Sequence, residues 1–429
     1  MNKIVKGSVV ALAAVSMAAC SSAPAGGTDQ SNTSGSSTGS QVLNLIKEND
    51  VITMDSSLAT DGTSFEAINM VIEGLETTDP EHNIVPALAE SYDVSDDELT
   101  YTFHLRDAEW SNGDPVTAAD FEYAWKDTIT DPTADYAYLF TTDGACIKGA
   151  DEAMGDPEKK DEIAVTAKDD KTLEVTLSRK TPYFVSLTTF PPFYPINQKF
   201  AEEQGDQYGL SPENLLFCGP FELENWTKGN SLKFVKNQKY WGADDVALDE
   251  INISVVPDPS TAALTYENGS ADYARLNSSL VDKYKDDEAF TSVLGSFLWY
   301  LQYNFENEDL ANENLRKALT LVVDKTNLTD EILKDGSIPA EGFVTKALAN
   351  GPDGKDYRET AEAYFAGDYE DNLAEAQKLF DQAKKELGKD TISLRFLFEP
   401  SDPAKPAAEF IQSEFAKLDG LNIEMIQQE

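Results

Sequence analysis

The chain has 429 residues, of which 77 are Asp or Glu and 34 are Lys or Arg, so its formal net charge at pH 7 is −43. A charge of this sign argues against binding to nucleic acid and against electrostatic attachment to anionic lipid. Because one hydrophobic core rarely organises so long a chain, two or more domains are expected. The acids are spread along the sequence, which is typical of a solvated acidic surface.

The first forty residues have the pattern of a secretion signal followed by a tether. Two lysines precede the apolar run 9–19, which is too short for a permanent membrane span, and small residues then lead to Cys20. The sequence "MAAC" resembles the lipobox of bacterial lipoproteins, which implies acylation of Cys20; the alternative is an ordinary signal peptide with a chance cysteine. We therefore expect a signal peptide over 1–19 and a lipidated, Gly/Ser/Thr-rich tether over 20–40.

Past the tether, no segment is long and apolar enough to cross a bilayer. The remainder is therefore expected to be a soluble body outside the cytoplasm, anchored by lipid to the outer face of the cytoplasmic membrane. Two further cysteines, Cys146 and Cys218, belong to this body. An extracellular location permits a disulfide between them, and two buried free thiols are the alternative that the sequence favours.

Apolar periodicity predicts the elements of the body in chain order. The first part of the body is predicted to contain a strand at 41–48, a helix at 64–75, a hairpin over 89–105, a helix opened by Thr117, and a second hairpin over 163–178. The residues "TAAD" from Thr117 have the spacing of a capping box.

Strands and helices alternate in the second part of the body. The predicted elements are strands at 231–237 and 250–256, a helix from 261 closed by Gly269 and then a short strand, strand 297–305, helices within 312–334, helix 371–387 ending at Gly388, strand 392–399, helix 404–418 and strand 421–428. Strand–helix–strand spacing of this kind implies parallel pairing with right-handed crossovers. The expected fold class is α/β with mixed α+β features, in several lobes.

No motif for catalysis or metal binding emerges from the sequence. The only histidines, His82 and His104, have no second ligand at metal-site spacing, and the metalloprotease, Walker A and dinucleotide-binding motifs are absent. One GxSxG match, at 35–39, lies in the tether without the strand and helix that a nucleophile elbow requires. We therefore expect no enzyme activity, no catalytic residue, no metal and no cofactor.

One long stretch carries a family resemblance. The sequence "ALAESYDVSDDELTYTFHLRDAEWSNGDPVTAADFEYAWK" (87–126) resembles the signature of the extracellular solute-binding proteins of the oligopeptide/dipeptide-binding family, which serve peptide-importing ABC transporters. The resemblance continues in order through "DDKTLEVTLSRKTPYF", "CGPFELENW", "NQKYWG", "LDEINISVVPD", "ENGSADY" and "NLRKALTLVVDKTNL". It extends from about residue 41 to the end of the chain.

The resemblance implies a periplasmic-binding-protein-like, two-lobed clamshell with an extra third domain. An extended peptide would lie between the lobes, with its main chain paired to strand edges. The implied domains are lobe I at 41–72 with 195–274, the extra domain (domain II) at 73–194, and lobe III at 275–429.

The flanking motifs also imply ligand-binding positions. The segment before the first helix matches a family segment that pairs with peptide main chain, "ADYAYLF" contains a cleft tyrosine, the residues after "GSADYA" lead into lobe III, and "LWYLQYN" contains a pocket aromatic. In this sequence those positions are Thr60, Asp61, Gly62, Thr63, Tyr136, Arg275, Leu276, Asn277 and Tyr300. The alternatives are an ordinary helix start for 60–63 and core packing for the two tyrosines. The family has other residue types at 275–277, so the pocket chemistry there stays open.

The resemblance also predicts a missing C-terminal part. Family members continue past the strand at 421–428 through an acidic residue that holds the peptide amine, and then return to lobe I. We therefore expect lobe III to be incomplete and residues 1–429 to bind peptide more weakly than a longer chain would.

The sequence thus predicts a lipid-anchored, monomeric receptor that binds extended oligopeptides and delivers them to a membrane-embedded ABC permease. Alternatives with the same fold are receptors for dipeptides, a nickel complex, haem or an oligosaccharide; scarce histidine argues against the metal version. Alternatives of another class are a surface hydrolase or an extracellular chaperone.

Overall fold

The computed structural model describes residues 40–295, 297–351, 353–363, 367–399, 401 and 403–428. The predicted signal peptide, Cys20 and nearly all of the tether lie outside these residues. Within them, no helix has the length and apolar character that a membrane crossing demands.

The described residues form twelve strands and twelve helices, joined by short 3-10 turns. The strands are β1 Val42–Lys47, β2 Glu76–Thr78, β3 Ile84–Pro86, β4 Ala89–Val94, β5 Thr100–Leu105, β6 Val165–Asp169, β7 Thr172–Thr176, β8 Phe221–Thr227, β9 Ser231–Lys236, β10 Glu250–Val255, β11 Ile392–Phe398 and β12 Leu421–Gln427. The helices are α1 Gly62–Val71, α2 Ala118–Thr130, α3 Ala150–Ala153, α4 Phe184–Leu187, α5 Gln198–Gln204, α6 Pro259–Glu267, α7 Ser278–Tyr284, α8 Glu313–Leu321, α9 Lys325–Asn327, α10 Tyr357–Thr360, α11 Tyr369–Leu387 and α12 Ala404–Phe415.

The first sheet has the order β1-β10-β9-β8. β1 runs parallel to β10, with Val42 opposite Glu250, and the other pairs are antiparallel. The predicted strands at 41–48, 231–237 and 250–256 are confirmed. This sheet joins the start of the body to a segment far along the chain, while the predicted domain boundaries stay predictions.

The second sheet, β4-β5-β7-β6, is antiparallel throughout and contains both predicted hairpins. Along β5, Tyr101, Phe103 and Leu105 alternate inward and are buried. The predicted capping box at the start of α2 is also confirmed, because the Thr117 N–H donates to Asp120 Oδ2 at 2.8 Å and the Thr117 side chain accepts from the third residue of the helix.

Apolar side chains gather in two main clusters. The larger extends from Val51 to Ile253 and packs both four-stranded sheets around α1 and α2. The smaller extends from Leu315 to Leu421 and packs α8, α11 and α12 against the sheet β11-β12. Cys146 and Cys218 are buried free thiols, as the sequence favoured.

The C-terminal elements follow the prediction in part. β11 and β12 pair in parallel across α12, and α11 ends at Gly388 in the left-handed conformation, so both expectations are confirmed. α12 ends at Phe415, earlier than predicted, and the predicted helical stretch 312–334 divides into α8, α9 and a π-helical turn.

Two predicted strands are wrong. Residues 297–305 have no strand structure, because no strand in the described part of the chain pairs with them and alternation alone does not make a ladder. The segment after Gly269 passes beside β1, where the Asn44 N–H donates to the Asp272 carboxylate at 2.8 Å instead of to a main-chain carbonyl. The Asp272 N–H donates in turn to the Asn44 carbonyl at 2.8 Å, but the segment has no strand structure.

Candidate functional site

The predicted segment 60–63 forms the start of α1. Asp61 is the N-cap: its Oδ1 accepts from the Ser64 N–H at 2.9 Å and its Oδ2 accepts from Ser64 Oγ at 2.6 Å. Thr60 and Gly62 are exposed, and a Cβ added at Gly62 would meet no atom within 4 Å. The first main-chain N–H groups of a helix have no partner within the helix. The start of α1 can therefore donate hydrogen bonds to a ligand carbonyl.

An aromatic group stands beside this helix start. We call it the aromatic wall, and it consists of Phe65, Tyr136, Tyr138 and Phe190. The Tyr136 ring centroid lies 5.6 Å from that of Phe65, 5.5 Å from that of Phe190 and 6.0 Å from that of Tyr138. Phe65 and Phe190 are 4.7 Å apart. Two of the predicted site segments, 60–63 and Tyr136, thus lie together through Phe65.

The wall combines apolar ring faces with hydroxyl groups. Burial raises the pKa of Tyr136, with smaller contributions from Tyr138 and Asp135, so its phenol remains neutral at physiological pH. Tyr136 is half-buried and Tyr138 is 43% exposed, so the rings keep open surface. Such a wall can pack against an apolar side chain and offer a hydroxyl to a main-chain group.

Sequence reasoning missed three members of this wall, because it assigned a site role to Tyr136 alone. It included Phe65 only as part of the predicted helix at 64–75, and it assigned no role to Tyr138 or Phe190. Phe65 is only half-buried in the structure and projects toward Tyr136. The position of Phe65 in the first turn of α1, directly after the predicted segment 60–63, was the sequence signal for its role in the wall. Phe190 is distant in sequence and reaches Phe65 and Tyr136 only through tertiary folding.

Residues 275–277 form an irregular connection that leads into α7. Arg275 is exposed and Leu276 is half-buried. Asn277 occupies the N-cap position of α7, and its Oδ1 accepts from Ser279 Oγ at 2.8 Å.

Tyr300 lies in the irregular segment 297–305 and is 61% exposed. Its ring centroid is 5.7 Å from that of Phe343, which is itself exposed. Tyr303 has the opposite environment: its hydroxyl lies 3.0 Å from Thr320 Oγ1, and burial raises its pKa. Core packing therefore describes Tyr303, whereas Tyr300 has most of its surface open.

The structure thus brings part of the predicted site together. Among the described residues, the ring contacts of Tyr136 and of Tyr300 fall into two separate groups. The same residues contain no group of three or more His, Cys, Asp or Glu side chains placed to hold a metal ion. The aromatic wall and the start of α1 thus place ring faces beside the unpaired main-chain end of a helix.

Comparison with known proteins places this chain and its fold in one family. Residues 83–429 match the family model for bacterial extracellular solute-binding proteins, family 5 (middle region). The dipeptide-binding protein DppE of Bacillus subtilis is 32% identical over 413 residues, which cover 96% of this chain and 74% of DppE. The oligopeptide-binding protein OppA of the same organism is 30% identical, covering 91% of this chain and 71% of that protein.

A solved structure agrees with these sequence relatives. Listeria monocytogenes OppA bound to peptide has a TM-score of 0.78 and 36% identity, covering 91% of this chain and 77% of that one. The mixed α/β fold therefore matches that of the OppA-type binding proteins, as the resemblance predicted.

The chain belongs to the family 5 bacterial extracellular solute-binding proteins. Members of this family are the substrate-binding proteins of importers and not enzymes, and they work outside the cytoplasmic membrane or in the periplasm. The family resemblance and the expectation of a non-enzyme are both confirmed.

Proposed function

We propose that this protein captures peptides in an extended conformation and delivers them to an ABC importer. The main observation that supports this proposal is the aromatic wall beside the start of α1, where ring faces and helix N–H groups lie together. The relatives support this choice of ligand. Listeria OppA is bound to peptide in its solved structure, and the two Bacillus relatives are a dipeptide-binding and an oligopeptide-binding protein.

In this proposal the main chain of the peptide provides most of the affinity. Each net main-chain hydrogen bond contributes about 0.5–1.5 kcal/mol, and micromolar binding requires about 8 kcal/mol. Several such bonds together with side-chain burial on the wall reach this value without a preference for one sequence.

The proposed site has a second side, made of Arg275, Leu276, Asn277 and Tyr300. Their position on the C-terminal side of residue 274 and the open surface of Tyr300 support this role. A bound peptide would contact both sides of the proposed site. It would favour a closed arrangement only through contacts that exist in that arrangement.

The test is peptide binding by calorimetry, with Tyr136→Ala and Tyr300→Ala as variants and Tyr266→Ala, on the exposed side of α6, as the matched control. Loss of an aromatic contact is expected to weaken binding by about 1–3 kcal/mol, or roughly five- to a hundred-fold, in the two site variants alone. Unchanged binding in both variants, with thermal stability also unchanged, contradicts the proposed site.

The length of the ligand is a second question, because DppE is a dipeptide-binding protein and OppA an oligopeptide-binding protein. In a competition assay, an unlabelled dipeptide or an unlabelled octapeptide displaces a bound labelled octapeptide. The more effective competitor shows whether the protein prefers dipeptides or longer peptides. The proposal predicts that the octapeptide competes better. Mass spectrometry of the recovered peptide excludes a hydrolase if the peptide stays intact.

We further propose that acylated Cys20 anchors the protein to the membrane. The lipobox-like sequence before Cys20 supports this. Cys20→Ser is expected to move the protein from the membrane fraction into the medium. A Cys20→Ser variant that still sediments with membranes contradicts the anchor.

A further inference from the structure

A cavity separate from the proposed peptide site opens between the β2–β3 hairpin, strands β4 and β5, and α4. Its volume is about 680 Å³, and it shares no residue with the aromatic wall. Its walls carry three tyrosines and two prolines besides smaller side chains. The lining residues that matter for its chemistry are Glu76, Pro86, Glu90, Tyr92, Tyr101 and Tyr183.

Glu76 lines this cavity with an incompletely paired carboxylate. The residue is only 2% exposed, and its Oε1 has no hydrogen-bond partner among the described residues. Arg106 is close enough to act on it electrostatically, but this guanidinium lies over the Trp241 ring at 3.5 Å and its Nε donates to the Ala87 carbonyl. Arg106 therefore attracts Glu76 electrostatically, but neither of these two contacts of Arg106 supplies a hydrogen bond to the Glu76 carboxylate. A buried carboxylate oxygen without a donor is costly, so a ligand that supplies one gains affinity.

The charge state of Glu76 follows from this environment. Burial raises its pKa to about 7, and the opposing attraction of Arg106 is smaller. The other titratable groups that line the cavity are Glu90 and Tyr92 on β4, Tyr101 on β5 and Tyr183 at the start of α4. Burial raises the pKa of Tyr101, so its hydroxyl remains neutral. Glu76 is thus about half ionised near pH 7 and becomes mainly anionic as the pH rises above that value.

The walls fit a cation that carries an apolar body. Tyr92 is 41% exposed and Tyr183 is 49% exposed, so both offer open ring surface around the mouth. The Tyr92 and Tyr101 ring centroids are 6.3 Å apart, which makes a continuous aromatic side. Ammonium groups are attracted both to carboxylates and to aromatic ring faces.

The geometry points to a binding site for a small organic ammonium ion, with its nitrogen donating to Glu76 and its apolar body against Tyr92, Tyr101 and Tyr183. A hard divalent cation fits less well, because it requires more oxygen ligands than one buried carboxylate and an exposed Glu90 provide. An anion is disfavoured by the two carboxylates.

Calorimetry of the full chain with 2-phenylethylammonium, and with 2-phenylethanol as its neutral counterpart, tests this site. The amine is expected to bind and the alcohol to bind at least tenfold more weakly. Because the amine must meet ionised Glu76, its affinity is expected to rise about tenfold from pH 6 to pH 8. Equal binding of the alcohol, an affinity that does not change with pH, or displacement of the amine by a saturating oligopeptide would each overturn the proposal.

Substitutions test whether the amine binds at Glu76. Glu76→Gln is expected to remove the pH dependence and most of the affinity, whereas Glu81→Gln, an exposed acid in the turn of the same hairpin, is expected to keep both. Tyr92→Ala provides a second check that leaves the buried carboxylate in place. It is expected to weaken binding several-fold while the pH dependence remains, and a Tyr92→Ala variant with full affinity contradicts the site.

Discussion

The N-terminal part of the body, residues 41–274, and the C-terminal part, residues 275–428, bury their apolar residues to very different extents. The first packs two four-stranded sheets around one large cluster. The second has the two-stranded sheet β11-β12, and between 293 and 348 several large apolar side chains have most of their surface open. Trp125 is completely buried, whereas Trp299 is 81% exposed.

This contrast shows what converts an apolar pattern into an element. In the N-terminal part, alternating segments such as β5 find neighbours on both sides, so their pattern becomes a ladder and a core. In the C-terminal part, residues 297–305 have the same kind of pattern but no pairing strand among the described residues. Pairing, and not apolar alternation alone, determines strand formation.

The largest expected effect is the loss of the Trp125 side chain. Its ring packs on Phe193 with centroids 5.3 Å apart, and its Nε1 donates to the Phe193 carbonyl at 2.8 Å. Trp125→Ala is expected to lower the free energy of unfolding by about 3–5 kcal/mol, because it removes a buried ring and leaves a cavity. Trp299→Ala is the matched control and is expected to change it by less than about 0.5 kcal/mol. Equal losses of unfolding free energy in denaturant titrations of the two variants would contradict the difference in burial between the two parts.

A second effect concerns pH. The pKa of Glu76 is about 7 in the folded protein, above its ordinary value, so the folded state holds this proton more tightly. Its contribution to stability is therefore present at pH 4 and is lost as the pH rises through 7. Glu76→Gln is expected to match the parent near pH 4 and to exceed its free energy of unfolding by about 1–3 kcal/mol at pH 8. Thermal unfolding at both pH values measures this difference.

The exposed acids of the C-terminal part have the opposite behaviour and provide the control. Hydrogen bonds from Asn312, Gln382 and Asn314 lower the pKa of Glu386, and Lys384 lowers that of Asp381. The contribution of these two acids to folding stability is present at neutral pH and is lost as the pH falls below about 4. Glu386→Gln is therefore expected to give no gain at pH 8. A gain equal to that of Glu76→Gln would show that burial is not the cause.

The smallest effect comes from the helix caps, with one in each part of the body. Thr117 caps α2, and the Asn312 side chain accepts from the Leu315 N–H at 3.0 Å at the start of α8. Each change to Ala is expected to cost about 1 kcal/mol. Hydrogen exchange is expected to show faster opening of α2 in the first variant and of α8 in the second. Equal acceleration of both helices in either variant would indicate that the two parts open as one unit.

The sequence predicted most of the architecture where the signals are local. The hairpin over 89–105, the capping box at Thr117 and the helix end at Gly388 each depend on residues close in sequence, and each was predicted correctly. The order β1-β10-β9-β8 was not deduced, because it depends on a pairing between distant segments.

The candidate site was predictable only in part, for a related reason. The family resemblance indicated Tyr136 and the segment 60–63, but their proximity arises from contacts of Phe65 with Tyr136 and Phe190. The cavity at Glu76 had no sequence signal, since one acid among 77 is not distinctive until burial isolates it.

Hydrogen exchange of the full chain with and without a saturating oligopeptide tests the central claim, that peptide binds beside the start of α1. The account predicts slower exchange at 60–65 and 136–138, with the recovered peptide intact by mass spectrometry. Unchanged exchange at both segments under saturation, or cleavage of the peptide, would contradict it.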